Sequence, residues 1–314
     1  MGEETREKRT DRQLRWLADA YEQAQANRIR TGEQVRAVLQ GRDDTWDVGQ
    51  EWFDTEVDPD RVLSDIVSEE TVGPVPILGR TYRRFAKEER ELQTEMLAAL
   101  RVHPAFPWLD KVKGIGGTLG CKLLARLDVR RADTPSAFAA YCGLGTVPGG
   151  RWKCPTCGKE RVWPEGTNVT GSHTALGSSK KCPDSMALVE DGVRAAMPRG
   201  YTTTIVGEDG EKKKIRAYDA YAKKIMYLIG TSFLKARGAY ADFYHEARAK
   251  LERERPFWAD AGKHHTALRK TEKLFLCHLW LVWREALGLP TTEPYAHAIL
   301  GHETEPIRPE EMVG

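Results

Sequence analysis

No apolar run in this sequence is long enough to cross a bilayer. A spanning helix needs roughly 20 such residues, and the best stretch, Leu274 to Val282, is short and interrupted by His278. No apolar leader opens the chain either, since Met1 to Asp11 is charged throughout. An excess of one charge is also missing: 48 Lys and Arg stand against 46 Asp and Glu, a formal net charge of +2. A polyanionic partner would have to be held by a local cluster of cations, because a patch and not the total steers association. Cysteine is sparse, at six residues. With no secretory leader, these thiols point to a reducing, cytoplasmic compartment in which they stay free or bind metal. There the glycosylation-type triplet Asn168-Val169-Thr170 is coincidence. The 314 residues suffice for two or three compact units, and a charged content of 30% leaves much solvated helix surface.

Residues 1–105 lack strand patterning. Leu14, Leu17, Ala18, Tyr21, Ala24 and Gln25 form one helical stripe, so a single helix is expected to about residue 42, where Asp43-Asp44 breaks it. A loop with Trp46, Trp52 and Phe53 follows, and Asp58-Pro59 opens a short helix through Ile66. After a break at Gly73-Pro74-Val75-Pro76, a second amphipathic helix runs from Leu78 to Leu100. Tyr82, Phe85, Leu92, Met96, Leu97 and Leu100 form its inward stripe. Two such helices make an antiparallel arm. With no strand to present paired carboxylates, and Asp58 and Asp60 beside Pro59, two-metal nuclease chemistry has no scaffold here.

The most informative stretch is Val112 to Leu144. Lys113-Gly114-Ile115-Gly116-Gly117 reads as a tight hairpin before a helix with Leu119, Leu123, Leu124 and Leu127. A helix start exposes backbone N–H groups and a positive dipole end, which suits a phosphate. Lys113, Lys122, Arg126, Arg130 and Arg131 are the cations nearby in sequence. A packing turn between helices is the other reading of the same glycines. A dinucleotide loop is excluded, because no β-branched strand precedes the hairpin and the third glycine is missing. The block closes with Phe138-Ala139-Ala140-Tyr141-Cys142-Gly143-Leu144.

After Gly149-Gly150 helical periodicity fades, and an insertion is expected. Cys154-Pro155-Thr156-Cys157-Gly158 has the spacing of a zinc knuckle, two thiolates on one tight turn. Cys182 is the natural third ligand of a structural zinc and His173 the favoured fourth, with a surface residue as the lesser reading of His173 because a second C-x-x-C pair is absent. Cys121, Cys142 and Cys277 read as buried thiols. Lys212-Lys213-Lys214-Ile215-Arg216 then leads into a helix over 217–237 carrying Lys223, Lys224, Lys235 and Arg237 among Tyr218, Tyr221, Tyr227 and Phe233. Cations interleaved with aromatics suit a nucleic-acid strand, and a solvated face over an aromatic core is the alternative. An amphipathic helix follows over 239–254. Lys263, His264 and His265, ahead of a helix over 266–287 with Leu276, Leu279, Trp280, Trp283 and Leu287 inward, are read as phosphate or RNA contacts. Glu303 to Val313 is acidic and proline-rich, and a loose tail is expected.

The hairpin, its helix and the Ala-Tyr-Cys-Gly-Leu ending resemble the C-terminal domain of the transposases guided by a bridge RNA, and Ala222 to Leu287 resembles that domain's closing helices. The same element is similar to the Nop domain of box C/D ribonucleoproteins and to the TIGR-associated (Tas) guide-RNA proteins of prokaryotes and their viruses. The likeness covers about a third of the chain. It implies a mainly α fold: a helical arm to residue 105, a Nop-like helix-hairpin-helix block over 106–150, a zinc-ribbon-like insertion over 151–216, a helical bundle over 217–290 and a tail. It further implies a homodimer joined through the arms that binds a small structured guide RNA and positions it on target DNA. The chain departs from the transposases in having no N-terminal RuvC-like nuclease pattern, so binding without cleavage is expected. Ser172, Ser178 and Ser179 occupy the region of the transposase's catalytic serine but stand in no matching motif, and no nucleophile is transferred. A shortened serine transposase or recombinase and an accessory DNA-binding protein without RNA are the alternatives.

Overall fold

The computed structural model describes residues 6–39, 74–167, 169, 172–206, 210–256, 258–292 and 306–313. The Asp43-Asp44 break, the Trp46–Phe53 loop, the helix expected at Asp58 to Ile66, Asn168, Thr170 and residues 303–305 lie outside them. The fold is mainly α, with small sheets between Thr146 and Arg216. The chain divides into two compact units, Met1–His103 and Pro104–Gly314.

In the first unit α1 (Arg6–Leu39) and α2 (Pro74–Arg101) run antiparallel. Asp11 lies against His103, Tyr21 and Arg28 against Glu89, and Gly32 and Val35 against Tyr82. Helix α2 starts a turn before Leu78, because prolines in a first turn give up N–H groups that have no intrahelical acceptor anyway. Leu14, Ala18, Tyr21, Ala24, Tyr82, Met96 and Leu100 are buried as the stripes require, while Phe85, Leu92 and Leu97 are half-buried. A buried carboxylate interrupts the apolar seam. Glu89 accepts hydrogen bonds from Tyr21 Oη at 3.1 Å and Gln25 Nε2 at 2.9 Å, and pairs with Arg28. Burial would raise the Glu89 pKa, but these donors outweigh it and hold the carboxyl below its ordinary value. Burial and the Glu89 charge push Tyr21 up to about 12.

In the second unit α3 (Phe106–Leu109), α4 (Gly117–Leu124) and α5 (Pro135–Tyr141) precede the insertion. Helices α6 (Ala220–Ala236), α7 (Ala239–Glu254) and α8 (Asp260–Ala286) follow it. The two halves share one core. Trp108 stacks on Phe275 at 5.8 Å between centroids, and Phe275 meets Phe233 and Tyr240 edge-on at 5.3 and 5.6 Å. Trp280 Nε1 donates to the Ala132 carbonyl at 2.7 Å, and Arg284 Nη1 donates to Val129 and Ala132 at 3.1 and 2.9 Å. The turn after α4 is thereby fixed to α8. The Asp219 amide donates to the Tyr141 carbonyl at 2.9 Å, and the Tyr141 hydroxyl to the Asp219 carboxylate at 3.1 Å. The insertion therefore leaves and re-enters the helical block at neighbouring points.

The insertion is built of strands. β1 (Thr146–Lys153) lies between β2 (Glu160–Pro164) and β5 (Ala187–Ala196), both antiparallel to it. β3 (His173–Thr174) pairs with β4 (Lys181–Cys182), and β6 (Thr202–Val206) with β7 (Lys212–Arg216). The boundary expected after Gly150 falls inside β1. Gly149 and Gly150 are not a break there: a Cβ at Gly149 would stand 2.2 Å from the Trp163 carbonyl oxygen, and one at Gly150 would stand 2.5 Å from Leu188 Cδ1. The central strand needs glycine to sit between its neighbours.

The described part of the expected loose tail is docked. His278 Nε2 donates to the Ile307 carbonyl at 2.9 Å, Trp108 Nε1 donates to the Pro309 carbonyl at 3.1 Å, and Met312 is buried.

Candidate nucleic-acid interface and metal centre

The hairpin stands where the sequence places it, with its two glycines in different roles. Gly114 has φ +96°, which a side chain rarely adopts, and a Cβ there would come within 3.1 Å of Phe233 and of the Ser232 carbonyl. Ser232 Oγ donates to the Gly114 carbonyl at 2.7 Å. This end of the hairpin is seated on α6. Gly116 is exposed and extended, φ −78° and ψ 159°, and caps α4, with nothing within 4 Å of a Cβ. The amides at the start of α4 have no intrahelical acceptor, so the hairpin's outer edge can receive a phosphate.

Cations border that edge, and others continue along α6 away from it. Lys113 is exposed, and its stem packs over Gly238, next to the exposed Arg237, which ends α6 in the left-handed conformation at φ 52°. Lys224, Tyr227, Leu228 and Lys235 are exposed and recur at helical spacing on one face of α6. Ile115 and Gly117 are half-buried in the hairpin. Arg126, past the far end of α4, lies over the Tyr221 ring at 4.7 Å.

Other expected contacts sit elsewhere. Lys122 is buried in α4, as are Cys121, Leu123 and Leu124, and so it is not an exposed phosphate contact. Arg130 and Arg131 lie on the turn that α8 fixes, about 12 Å along α4 from the hairpin by helix rise. Lys223 is half-buried with its ammonium 4.6 Å over the Tyr218 ring, and burial lowers its pKa. Lys263 is buried, and its Nζ donates to the Pro256 carbonyl at 3.3 Å. His264 Nδ1 is hydrogen-bonded to the Tyr244 hydroxyl at 2.6 Å, and burial, then His265 and Arg248, lower its pKa, so it is not a standing cation. His265 is exposed beside it. These groups are held by α7 and the loop before α8 because α8 begins at Asp260, earlier than its apolar pattern implies. Lys212, Lys213, Lys214 and Arg216 are exposed along β7, the strand that leads into α6. Sequence reasoning missed Ser232, a small polar residue in a helix interior whose partner is a backbone carbonyl. No local pattern marks such a contact.

Cys154, Cys157, His173 and Cys182 form a cluster that can hold a metal ion, their ligand atoms all within 4.8 Å of one another. β1 ends in the knuckle turn, where Gly158 at φ +70° lets its amide return to the Cys154 carbonyl at 3.0 Å. The β3–β4 pairing sets His173 directly opposite Cys182. Cys154 Sγ and Cys182 Sγ are 3.8 Å apart, and Cys157 Sγ is 3.2 Å from His173 Nε2. The Cys157 amide points at Cys154 Sγ at 3.5 Å, as thiolate ligands require. Burial acts to raise the Cys157 thiol, but the His173 ring and backbone donors hold it down to about 6. Cys121 and Cys277, by contrast, are pushed up by burial to about 12 and about 11 and stay inert thiols. Cys142 is raised by burial as well.

Compared with known proteins, the chain matches no family model and no curated protein.

Proposed function

We propose that the chain is an RNA-binding protein of an RNA-guided DNA-targeting assembly, holding a structured guide RNA without cutting the target. One observation carries this reading. The exposed start of α4 at Gly116 opens beside Lys113 and Arg237, with Lys224, Tyr227 and Lys235 continuing along α6. Donors at a helix start with flanking cations fit a phosphate backbone, and the exposed Tyr227 farther along α6 offers a ring on which a base can stack. The resemblance of Val112–Leu144 to guide-RNA domains supports RNA as the strand. In this reading two copies joined through the helical arms hold one RNA between them. Protein purified under native conditions should carry nucleic acid that RNase, not DNase, removes. Protein that neither brings RNA with it nor binds added RNA would sink the proposal.

The metal is zinc, and its role is structural. Zn–S bonds of about 2.3 Å in a tetrahedron set sulfurs about 3.8 Å apart, as Cys154 and Cys182 are. Three thiolates and an imidazole close the coordination shell, leaving no position for a substrate. Elemental analysis should find one zinc per chain, lost when Cys154 and Cys157 are both replaced by Ser. Full-length protein with no stoichiometric zinc would end this assignment.

A further inference from the structure

All ten residues of β6 and β7 are exposed. A two-stranded ribbon that buries nothing is marginal in water, and this one is anchored mainly at its base. There the Ala217 amide donates to the Tyr201 carbonyl at 3.0 Å and the Arg216 guanidinium lies 5.8 Å from the Tyr218 ring. The register pairs Val206 with Lys212, Thr204 with Lys214 and Thr202 with Arg216. Strand alternation puts these six on one face: three cations at about 6.7 Å intervals with two hydroxyls directly opposite. Elsewhere in the insertion, cross-strand cations meet carboxylates, Arg151 with Glu190 at 3.1 Å and Lys153 with Glu160 at 2.9 Å. On the ribbon the residues opposite are Val, Ile and Thr, and among the described residues no carboxylate pairs with Lys212, Lys213, Lys214 or Arg216. Three cations in a row with no carboxylate opposite make an exposed strip whose charge a polyanion can complement.

We propose that this face binds the backbone of a double-stranded RNA stem, with Lys212, Lys214 and Arg216 on phosphates and Thr202 and Thr204 on ribose hydroxyls. The proposal rests on the RNA-binding reading above and names the part of the RNA that this surface takes. The ribbon has no aromatic residue, so it cannot stack the splayed bases of a single strand. Hydroxyls set beside cations suit A-form RNA, whose shallow minor groove offers 2′-hydroxyls between phosphate rows. A DNA major groove would also admit a ribbon, but only RNA offers 2′-hydroxyls to the threonines that stand opposite the cations. The ribbon springs from the start of α6 and the hairpin sits at its end, 17 residues or about 25 Å away. A stem held by the ribbon could thus reach the hairpin with an adjoining loop or strand.

The test uses full-length protein and three probes: a fully paired RNA stem-loop, a DNA duplex of the same sequence and a single-stranded polyuridine, each titrated over a range of salt. Lys212→Ala/Lys214→Ala/Arg216→Ala should weaken stem binding at least about tenfold. It should also flatten the log–log salt slope by nearly three units, since three phosphate contacts are lost and each supplies just under one. Polyuridine binding should change far less. Thr202→Val/Thr204→Val should narrow the preference for the RNA stem over the DNA duplex. Lys153→Ala, an exposed sheet lysine of equal charge, should leave binding unchanged. Circular dichroism of each variant checks the fold, and Lys212→Ala/Lys214→Ala, which spares the Arg216 contact at the ribbon's base, should weaken stem binding in the same direction. A triple variant that binds the stem like wild type overturns the ribbon assignment while leaving the hairpin reading intact. Equal losses for stem and polyuridine overturn the duplex assignment, and a wild type that prefers the DNA duplex overturns RNA. Wild-type protein that binds none of the probes overturns both proposals.

Discussion

At Gly116 a side chain would meet nothing within 4 Å and the backbone is extended, so any residue fits there. At Gly114 a side chain would be strained at φ +96° and would press on Phe233. Substituting the second perturbs folding and binding together, whereas substituting the first separates them. Asp is a good N-cap, and Gly116→Asp should hold or slightly raise thermal stability. The same carboxylate would stand where a phosphate is proposed to bind, and RNA affinity should fall about tenfold or more, which is about 1.4 kcal/mol. Melting temperature and RNA affinity measured on one preparation decide the matter. A folded Gly116→Asp protein with wild-type affinity would make the hairpin a packing turn. Gly114→Ala should instead lower the melting temperature, by the order of 1–3 kcal/mol of backbone strain.

Among the elements, the two arm helices and the knuckle were legible in sequence because each has a local signature. The arm shows an apolar stripe at helical spacing, and the knuckle shows two cysteines three apart followed by glycine. The strands of the insertion were not. Every residue of β6 and β7 and most of β5 are exposed, so they show no alternation of apolar and polar residues from which a strand could be read. The docking of residues 306–313 was equally hidden, since two of its bonds go to the carbonyls of Ile307 and Pro309, and its two buried residues, Pro309 and Met312, make no periodic apolar pattern. That docking should depend on pH through α8. Burial lowers the His278 pKa to about 4, and the neutral ring accepts from the Tyr240 hydroxyl at 2.8 Å while donating to Ile307. The charged and titratable groups that bear on His278 are Tyr240 beside its ring and, with weaker effect, Glu310 and Glu311. The folded value lies below the unfolded one, near 6.5. The stability it contributes is therefore present above pH 6.5 and lost as pH falls through about 4. Trp108 fluorescence and proteolysis of the C-terminal segment should report release in that window. His278→Phe should flatten the pH dependence, and an unchanged transition in that variant would assign it to other groups.

Across the whole molecule, the insertion and the helical block depend on one another asymmetrically. The block is closed by bonds that bypass the cysteine cluster: Asp219 to Tyr141, Arg269 to the Leu144 carbonyl at 2.6 Å, and Trp280 and Arg284 to the turn after α4. The cysteine cluster packs instead with Met186, Trp152 and Trp163 inside the insertion. The Met197 amide donates to the Gly145 carbonyl at 3.2 Å, which holds the base of the ribbon to the block without help from the knuckle. Removing the proposed zinc should then unfold the knuckle locally, because the binding energy of a structural ion is folding energy for the segment that holds it. Limited proteolysis of chelated protein should cut between Cys154 and Cys182, while the helical signal in circular dichroism stays near that of the metal-bound form. RNA affinity should remain within about twofold, since distant sites with no shared partners act independently. Loss of RNA binding in step with loss of zinc, with the helices intact, would mean that the knuckle itself touches RNA. The metal would then belong to the binding surface and not to its scaffold.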